Sequence, residues 1–253
     1  MLREMVVTDL KVRYQNSVLG YIWSLLKPLF LFAILYIVFI FIIPLGKDVE
    51  HYPVYLLTGV VVWNFFTEAT TMGTMSVVLR ENLIRKISIP TFLIVLASQC
   101  AALINLGLNL IVIFIFSILN GIQPGVDWLL LVPLVVELFM LTFGISLFLS
   151  SFFVKYRDIL YIWEIATQAG FYATPIIYPL MSVPSCLHKW FFINPMAQII
   201  QDARYIIATK TSVNMWSTIH SAAVIIPFMM VSLVFVVGVV CFKQRSRFFA
   251  EDI

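Results

Sequence analysis

The run Pro28-Leu-Phe-Leu-Phe-Ala-Ile-Leu-Tyr-Ile-Val-Phe-Ile-Phe-Ile-Ile-Pro-Leu45 carries no charge, and its only hydroxyl is on Tyr36. A helix that crosses a hydrocarbon layer about 30 Å thick needs about 20 predominantly apolar residues, so this stretch reads as a membrane span. The rest of the chain supports that solvent. Of 253 residues 62% are hydrophobic and 11% charged, with a mean hydropathy of +1.01, whereas a soluble domain carries about 25% charged residues. A surface built from 16 basic and 13 acidic side chains cannot cover such a core, which excludes a water-soluble domain. The net charge of +3 is too small for a nucleic-acid footprint. Cys100, Cys186 and Cys241 are too far apart for a disulfide framework or a zinc site.

The same test, moved outward in both directions, predicts an all-α integral membrane protein with six transmembrane helices. They cover 28–45; 53–79, interrupted by Glu68; a third within 87–126 that ends near Asn120-Gly121; 127–154, containing Glu137; a fifth that begins after Asp158 and contains Glu164; and 215–242. Gln123-Pro124-Gly125 is turn chemistry. Residues 1–27 place Val6, Leu10, Tyr14, Val18, Ile22 and Leu25 near one helical face and Glu4, Thr8, Lys11 and Gln15 on another. That pattern predicts an amphipathic helix lying in the interface. Between spans five and six, Pro175, Pro179, Pro184 and Pro195 break the apolar run too often for continuous helix, so short re-entrant helices on the outer side are expected. The chain is one unit: an interfacial segment 1–27, a bundle 28–242 and a tail 243–253.

Cytoplasmic loops hold the excess of Lys and Arg. With the N-terminus inside, the inner segments hold Arg3, Lys11, Arg13, Lys27, Arg80, Arg85, Lys86, Lys155, Arg157, Lys243, Arg245 and Arg247. The outer segments hold Lys47, Lys189, Arg204 and Lys210. This asymmetry predicts cytoplasmic N- and C-termini, and a cell inner (cytoplasmic) membrane is the working expectation.

Enzyme signatures are missing. The Gly46-Lys47 pair is followed by Asp48 and has Phe41 where a phosphate-binding loop needs glycine, and HExxH and GxSxG do not occur. His51, His188 and His220 read as interfacial polar residues. The acids inside spans are functional candidates because charge at that depth is costly. Glu68 shares its helix with Asn64, Thr67, Thr70 and Thr71 and is the strongest pore-lining candidate. Glu137 has three readings: a structural hydrogen bond to a neighbouring helix, the wall of a hydrated pathway, or proton transfer. Glu164, close after Asp158, reads as a solvated or ion-paired helix end. Trp23, Trp128, Trp163, Trp190 and Trp216 fall near span boundaries, as an aromatic belt requires. Trp63 falls near the midplane beside Phe65 and Phe66. These three, with Asn64, Glu68 and Glu137, are the candidate channel lining, and packed or lipid-facing aromatics are the alternative. The loop from Leu79 to Pro90 alternates apolar and basic residues, and reads either as a solvated turn or as a docking helix for a cytoplasmic partner.

Several stretches are familiar in combination: Val12-Arg-Tyr-Gln-Asn-Ser-Val-Leu-Gly-Tyr-Ile-Trp-Ser-Leu-Leu-Lys-Pro-Leu29, Ile84-Arg-Lys-Ile-Ser-Ile-Pro90, Phe153-Val-Lys-Tyr-Arg-Asp-Ile159, Ala173-Thr-Pro-Ile-Ile-Tyr-Pro179 and Ile193-Asn-Pro-Met196. With these, nearly end to end, the chain resembles the ABC-2 type permeases that export O-antigen, capsule or teichoic acid. The resemblance implies a homodimer that pairs with two copies of a separate ATPase, which would bind ATP and magnesium; the chain itself needs no cofactor. It implies a gate at Arg13, Tyr14, Ser17, Gly20 and Trp23, and a coupling helix at Glu81, Asn82, Leu83, Arg85 and Lys86. It implies an outer cap over Thr174 to Met196, including Pro175, Tyr178, Pro179, Asn194 and Pro195, and a lipid-linked glycan that threads a channel between the permeases. A drug or lipid exporter of the same family, and a proton-coupled carrier using Glu68 or Glu137, are the rival readings.

Overall fold

The structure, a computed structural model, describes residues 2–13, 20, 22–42, 49–81, 90–219 and 222–249. Among the described residues it is helical, without strands. The helices are α1 (Leu2–Arg13), α2 (Ile22–Ile37, continued by a π-helical turn Val38–Ile42), α3 (Tyr52–Leu79), α4 (Phe92–Leu119), α5 (Leu131–Phe153, entered through a 3-10 turn Val126–Leu130) and α6 (Ile159–Ala173). After α6 come α7 (Ser185–Phe191), α8 (Pro195–Ile207), α9 (Met215–Thr218) and α10 (Ile225–Arg245).

The bundle is organised around α3. Every residue from Val54 to Trp63 is buried, so no face of that half meets lipid. Helices α2, α4, α5, α6 and α8 pack around it. Burial on all sides permits polar side chains, provided they are satisfied. The Thr58, Thr70 and Thr74 hydroxyls accordingly donate to the carbonyls of Val54, Phe66 and Thr70 at 2.8, 2.7 and 2.7 Å. Gln99 Nε2 on α4 donates to Ala69 O at 2.8 Å and to Ser146 Oγ at 2.7 Å, tying α3, α4 and α5 together. Helices α5 and α10 form the tightest pair. A Cβ on Gly144 would sit 2.7 Å from Phe235 Cα, and one on Gly238 would fall on the Gly144 carbonyl. This is the small-residue contact that lets membrane helices approach closely.

The two ends of the bundle differ. At one, α1 lays Val6 against Ala97 and Ala101 of α4, and Arg80 pairs with Asp9. The Arg245 guanidinium lies 3.9 Å from the centre of the Phe152 ring at the same end. At the other, Lys210 pairs with Asp127 at 2.6 Å and Thr209 donates to Glu50 at 3.3 Å.

Three expectations change. The 1–27 segment is not one helix: α1 ends at Arg13, Gly20 turns with φ +47° and α2 begins at Ile22, ahead of the expected Pro28. Among the described residues no atom lies within 4 Å of where a Cβ on Gly20 would sit, and its positive φ suits glycine. Pro28 sits inside α2 and has no N–H for the Ser24 carbonyl; Asn109 Nδ2 donates to that carbonyl instead, at 3.4 Å. Next, among the described residues four helices are both long and apolar enough to cross a membrane, Ile22–Phe41, Phe92–Leu119, Val126–Phe153 and Ile225–Arg245; the other two expected spans correspond to α3 and α6. Helix α3, at 28 residues, is long enough but too polar, because protein encloses it. Helix α6 has 15 residues, about 22 Å, short of the hydrocarbon thickness. Finally, the last span starts at Ile225 and not at Met215. Asp202 accepts from Met215 N at 3.1 Å, and Asn214 caps α9 through Ser217 N at 2.8 Å. That turn is therefore held to α8. Short helices stand where re-entrant ones are expected.

Candidate functional site

A cleft of about 770 Å³ opens between α2, α3, α4 and α6. Each helix supplies one face at 3.6-residue spacing. From α2 come Trp23, Ser24, Lys27, Pro28 and Leu31. Helix α3 gives Val61, Trp63, Asn64, Phe65, Thr67, Glu68, Thr71 and Met72; α4 gives Ala102, Asn105, Leu106 and Asn109; α6 gives Glu164, Thr167, Gln168, Phe171 and Tyr172. Broad aromatic faces therefore alternate with amides, hydroxyls, two carboxylates and one ammonium.

The walls are braced from behind. Trp63 lies against Phe66 and Phe171 at centroid distances of 5.2 and 6.2 Å, and Phe66 against Trp163 at 6.0 Å. Trp163 Nε1 donates to Thr70 Oγ1 at 2.9 Å, fastening α6 to α3. Gly170 keeps that crossing close, because a Cβ there would sit 3.0 Å from Trp63 Cη2 and push the indole aside by a few tenths of an ångström. On the floor, Asn105 Nδ2 donates to Glu68 Oε1 and Asn109 Nδ2 to Asn105 O, both at 2.8 Å. The Thr67 hydroxyl donates to Asn64 O at 3.0 Å, and the Thr167 hydroxyl to the carbonyls of Trp163 and Glu164, both at 3.0 Å. Among the described residues no three His, Cys, Asp or Glu side chains gather to hold a metal. The arrangement can stack and hydrogen-bond a chain-like polyol.

The family described as ABC-2 type transporter matches residues 2–208. The chain belongs to the ABC-2 type transporter family. It is 30% identical over 244 residues, 96% of its own length and 91% of the relative's, to the O-antigen export system permease protein RfbA of Klebsiella pneumoniae. A protein of the same name from Myxococcus xanthus is 26% identical over 79% of this chain and 77% of its own. The polysialic acid transport protein KpsM of Escherichia coli is 21% identical over 78% and 76%.

Within this ABC-2 chain the predicted site residues separate. Of the channel-lining candidates, Trp63, Asn64, Phe65 and Glu68 line the cleft. Phe66 stands behind Trp63 and off the wall. Glu137 also lies away from the cleft, buried against α8, where Gln198 Nε2 reaches Glu137 Oε2 at 3.4 Å and Asp202 Oδ2 at 2.9 Å. Of the gate candidates, Trp23 lines the cleft, Gly20 makes the turn and Arg13 closes α1; Tyr14 and Ser17 lie outside the described residues. Of the coupling candidates, Glu81 follows α3 and is half-buried, while Asn82, Leu83, Arg85 and Lys86 lie outside the described residues.

The outer segment is locally well anchored. Asn194 caps α8 by accepting from Met196 N at 3.0 Å, with Pro195 at the first helical position. Pro179 leads into the 3-10 turn Leu180–Ser182. The Tyr178 hydroxyl donates to Ala173 O at 3.4 Å, and burial pushes its phenol up.

Several notable positions escaped the sequence reading. Lys27 and Glu164 read as membrane-boundary charges, yet both line the cleft. Asn105 and Asn109 do so too, and their signal was two amides four residues apart in an uncharged run. Arg204 read as a loop cation. It is fully buried, donating from Nε to Tyr55 O at 3.0 Å, from Nη1 to Pro175 O at 2.6 Å and from Nη2 to Ile176 O at 2.6 Å.

Proposed function

We propose that the chain is the membrane subunit of an ATP-driven exporter that moves a lipid-linked, O-antigen-like polysaccharide across the cytoplasmic membrane. The cleft between α2, α3, α4 and α6 carries this reading. Its aromatic faces suit the C–H faces of sugar rings, and the amides and carboxylates between them suit the hydroxyl edges. Relatives named for O-antigen and polysialic acid export support a glycan cargo.

Helix α6 argues for a second copy beside it. It has no buried residue and turns Tyr161, Ile162 and Ile165 outward next to the cleft. A two-fold partner set against this face would close two clefts into one channel. The sugar chain threads that channel while its lipid stays in the bilayer. Energy enters through two copies of a separate ATPase docking on Glu81 to Lys86, and the segment from Arg13 to Trp23 gates the inner mouth. Both termini face the cytoplasm: the basic residues of α1, the α3 end and the α10 end lie at one end of the bundle. Glu137, set away from the cleft, counts against a proton-coupled carrier that works through Glu137.

The test is co-expression with the ATPase of the same export system. The expected result is a two-plus-two complex whose ATP hydrolysis falls when Arg85 and Lys86 are both replaced by Glu, and whose cells stop displaying surface glycan. A chain that purifies without binding the ATPase refutes the reading.

A further inference from the structure

Away from the cleft, a second polar cluster is buried between α5 and α8. Glu137 is 7% exposed, Asp202 5% and Gln198 0%. Gln198 Nε2 donates to Asp202 Oδ2 at 2.9 Å and reaches Glu137 Oε2 at 3.4 Å. These contacts fix the amide, because the flipped one would set Oε1 against two carboxylate oxygens, acceptor facing acceptor. Two acceptors are then left buried without a hydrogen-bond partner, Gln198 Oε1 and Glu137 Oε1.

Charge sharpens the deficit. Among the described residues Asp202 is the charged group that faces Glu137, and Gln198 joins the two. On α8 the Arg204 guanidinium is given to Tyr55, Pro175 and Ile176, and Tyr205 meets Lys210. Helix α4 has no charged side chain, and its Cys100 packs beside α1. Helix α10 keeps Cys241, Lys243 and Arg245 at the end where Arg245 meets Phe152, 15 residues along α5 from Glu137. Asp127 pairs with Lys210, whereas Glu68 of α3 and Glu164 of α6 belong to the cleft. The Tyr55 hydroxyl of α3 donates to Gln201 Oε1 at 3.4 Å. Two ionised carboxylates sharing one amide here would be buried like charges without a cation, so one of them must be neutral.

The hydrogen bonds say which. Both oxygens of Asp202 accept from N–H groups, Oδ2 from Gln198 and Oδ1 from Met215 N at 3.1 Å, which suits the ion. Glu137 has only the long share of the amide. A proton on Glu137 Oε1 turns one unmet acceptor into a donor. The other unmet acceptor is on the same amide that Glu137 Oε2 already meets, so one proton can answer both. A hard metal cation takes about six oxygens, and the cluster leaves only two unmet.

We infer that Glu137 is a buried proton-binding site, holding one proton toward Gln198 Oε1 that locks the outer segment to the bundle. The contact runs from α5 through Gln198 and Asp202 to Met215, so α5, α8 and α9 share it. The proton is a structural one, outside the cleft and independent of the cargo. The lock is whole while Glu137 keeps its proton and opens as rising pH removes it.

The test is infrared spectroscopy of the full chain in a maltoside detergent at neutral pH, read at the carboxylic-acid C=O stretch, which ionised carboxylates lack. The parent should show an acid band that is lost in Glu137→Gln, whose amide supplies the donor permanently. Raising the pH to mildly alkaline should lower the melting temperature of the parent more than that of Glu137→Gln. No acid band in the parent, an unchanged band in Glu137→Gln, or equal pH dependence of melting overturns the site. A parent stabilised by sodium at fixed pH, but not in Glu137→Gln, also overturns it, in favour of a metal ion. If Glu137→Gln does not fold, the parent decides: its acid band must fade, and its melting temperature fall, over the same rise in pH.

Discussion

Replacing Arg204 tests the outer half of the structure most directly. Its charge is answered by the carbonyls of Tyr55, Pro175 and Ile176 and by the Tyr55 ring, 3.7 Å from the guanidinium carbon. Arg204→Met keeps an apolar stem of similar reach but strips the donors from two carbonyls in a buried turn. Each unmet carbonyl costs about 1–3 kcal/mol. Removing the charge also recovers part of its own burial cost, so the net loss should be about 3 kcal/mol. For a chain of this size that lowers the melting temperature by about 10 °C. Arg204→Lys, a single-point donor in place of a fork, should fall about halfway. Gly59 supplies the control, since a Cβ there would fall on the guanidinium. Gly59→Ala should therefore destabilise the parent clearly and Arg204→Met hardly at all, a non-additive pair. Thermal unfolding of the purified chain, followed by a thiol-reactive dye on the half-buried Cys100 and Cys241, reads all five proteins. A Met variant that melts with the parent, or a Gly59→Ala cost equal in both backgrounds, would refute the reasoning.

Other expectations are simpler. Gly238→Leu should drive α10 off α5, costing about 1–3 kcal/mol or more; abundance in the membrane and melting report it, and a normal level of stable protein contradicts the close crossing. Asp9→Asn removes the half-buried pair with Arg80 and should cost about 1 kcal/mol or less. It should make α1 easier for protease to cut without moving the melting point of the bundle. Glu137→Gln should leave glycan display near the parental level, and abolition of display in a folded variant would restore the proton-carrier reading.

Hydropathy made the membrane class and most helix positions legible, because lipid-facing helices such as α4 and α10 must be apolar along their whole length. It could not reveal that α3 is the centre, since burial on every side erases the one-sided pattern that marks a face. The place of Glu68 on the cleft wall was legible because Asn64, Thr67 and Thr71 repeat on its side at helical spacing. Phe66 and Glu137 went the other way, for a single helix does not say which neighbour each face will meet. Lys27 and Glu164 were hidden by their closeness to span boundaries, where charge is ordinary. Arg204 was hidden by its carbonyl partners, which carry no sequence signature at all.

The composition of α3 has a consequence for biogenesis. A charged residue at a helix centre costs about 2.5–3.5 kcal/mol to insert on its own, and α3 carries Glu68 near its middle with threonines on either side. The helix that everything else packs on is thus among the least able to partition into lipid alone. It follows that α3 leaves the insertion machinery in company: strongly apolar α2 enters first, and α3 waits to cross as a hairpin with α4, whose Asn105 meets Glu68 as the two helices close. Changes in α4 that weaken this hand-over would be felt first as α3 left outside the bilayer, before any effect on transport.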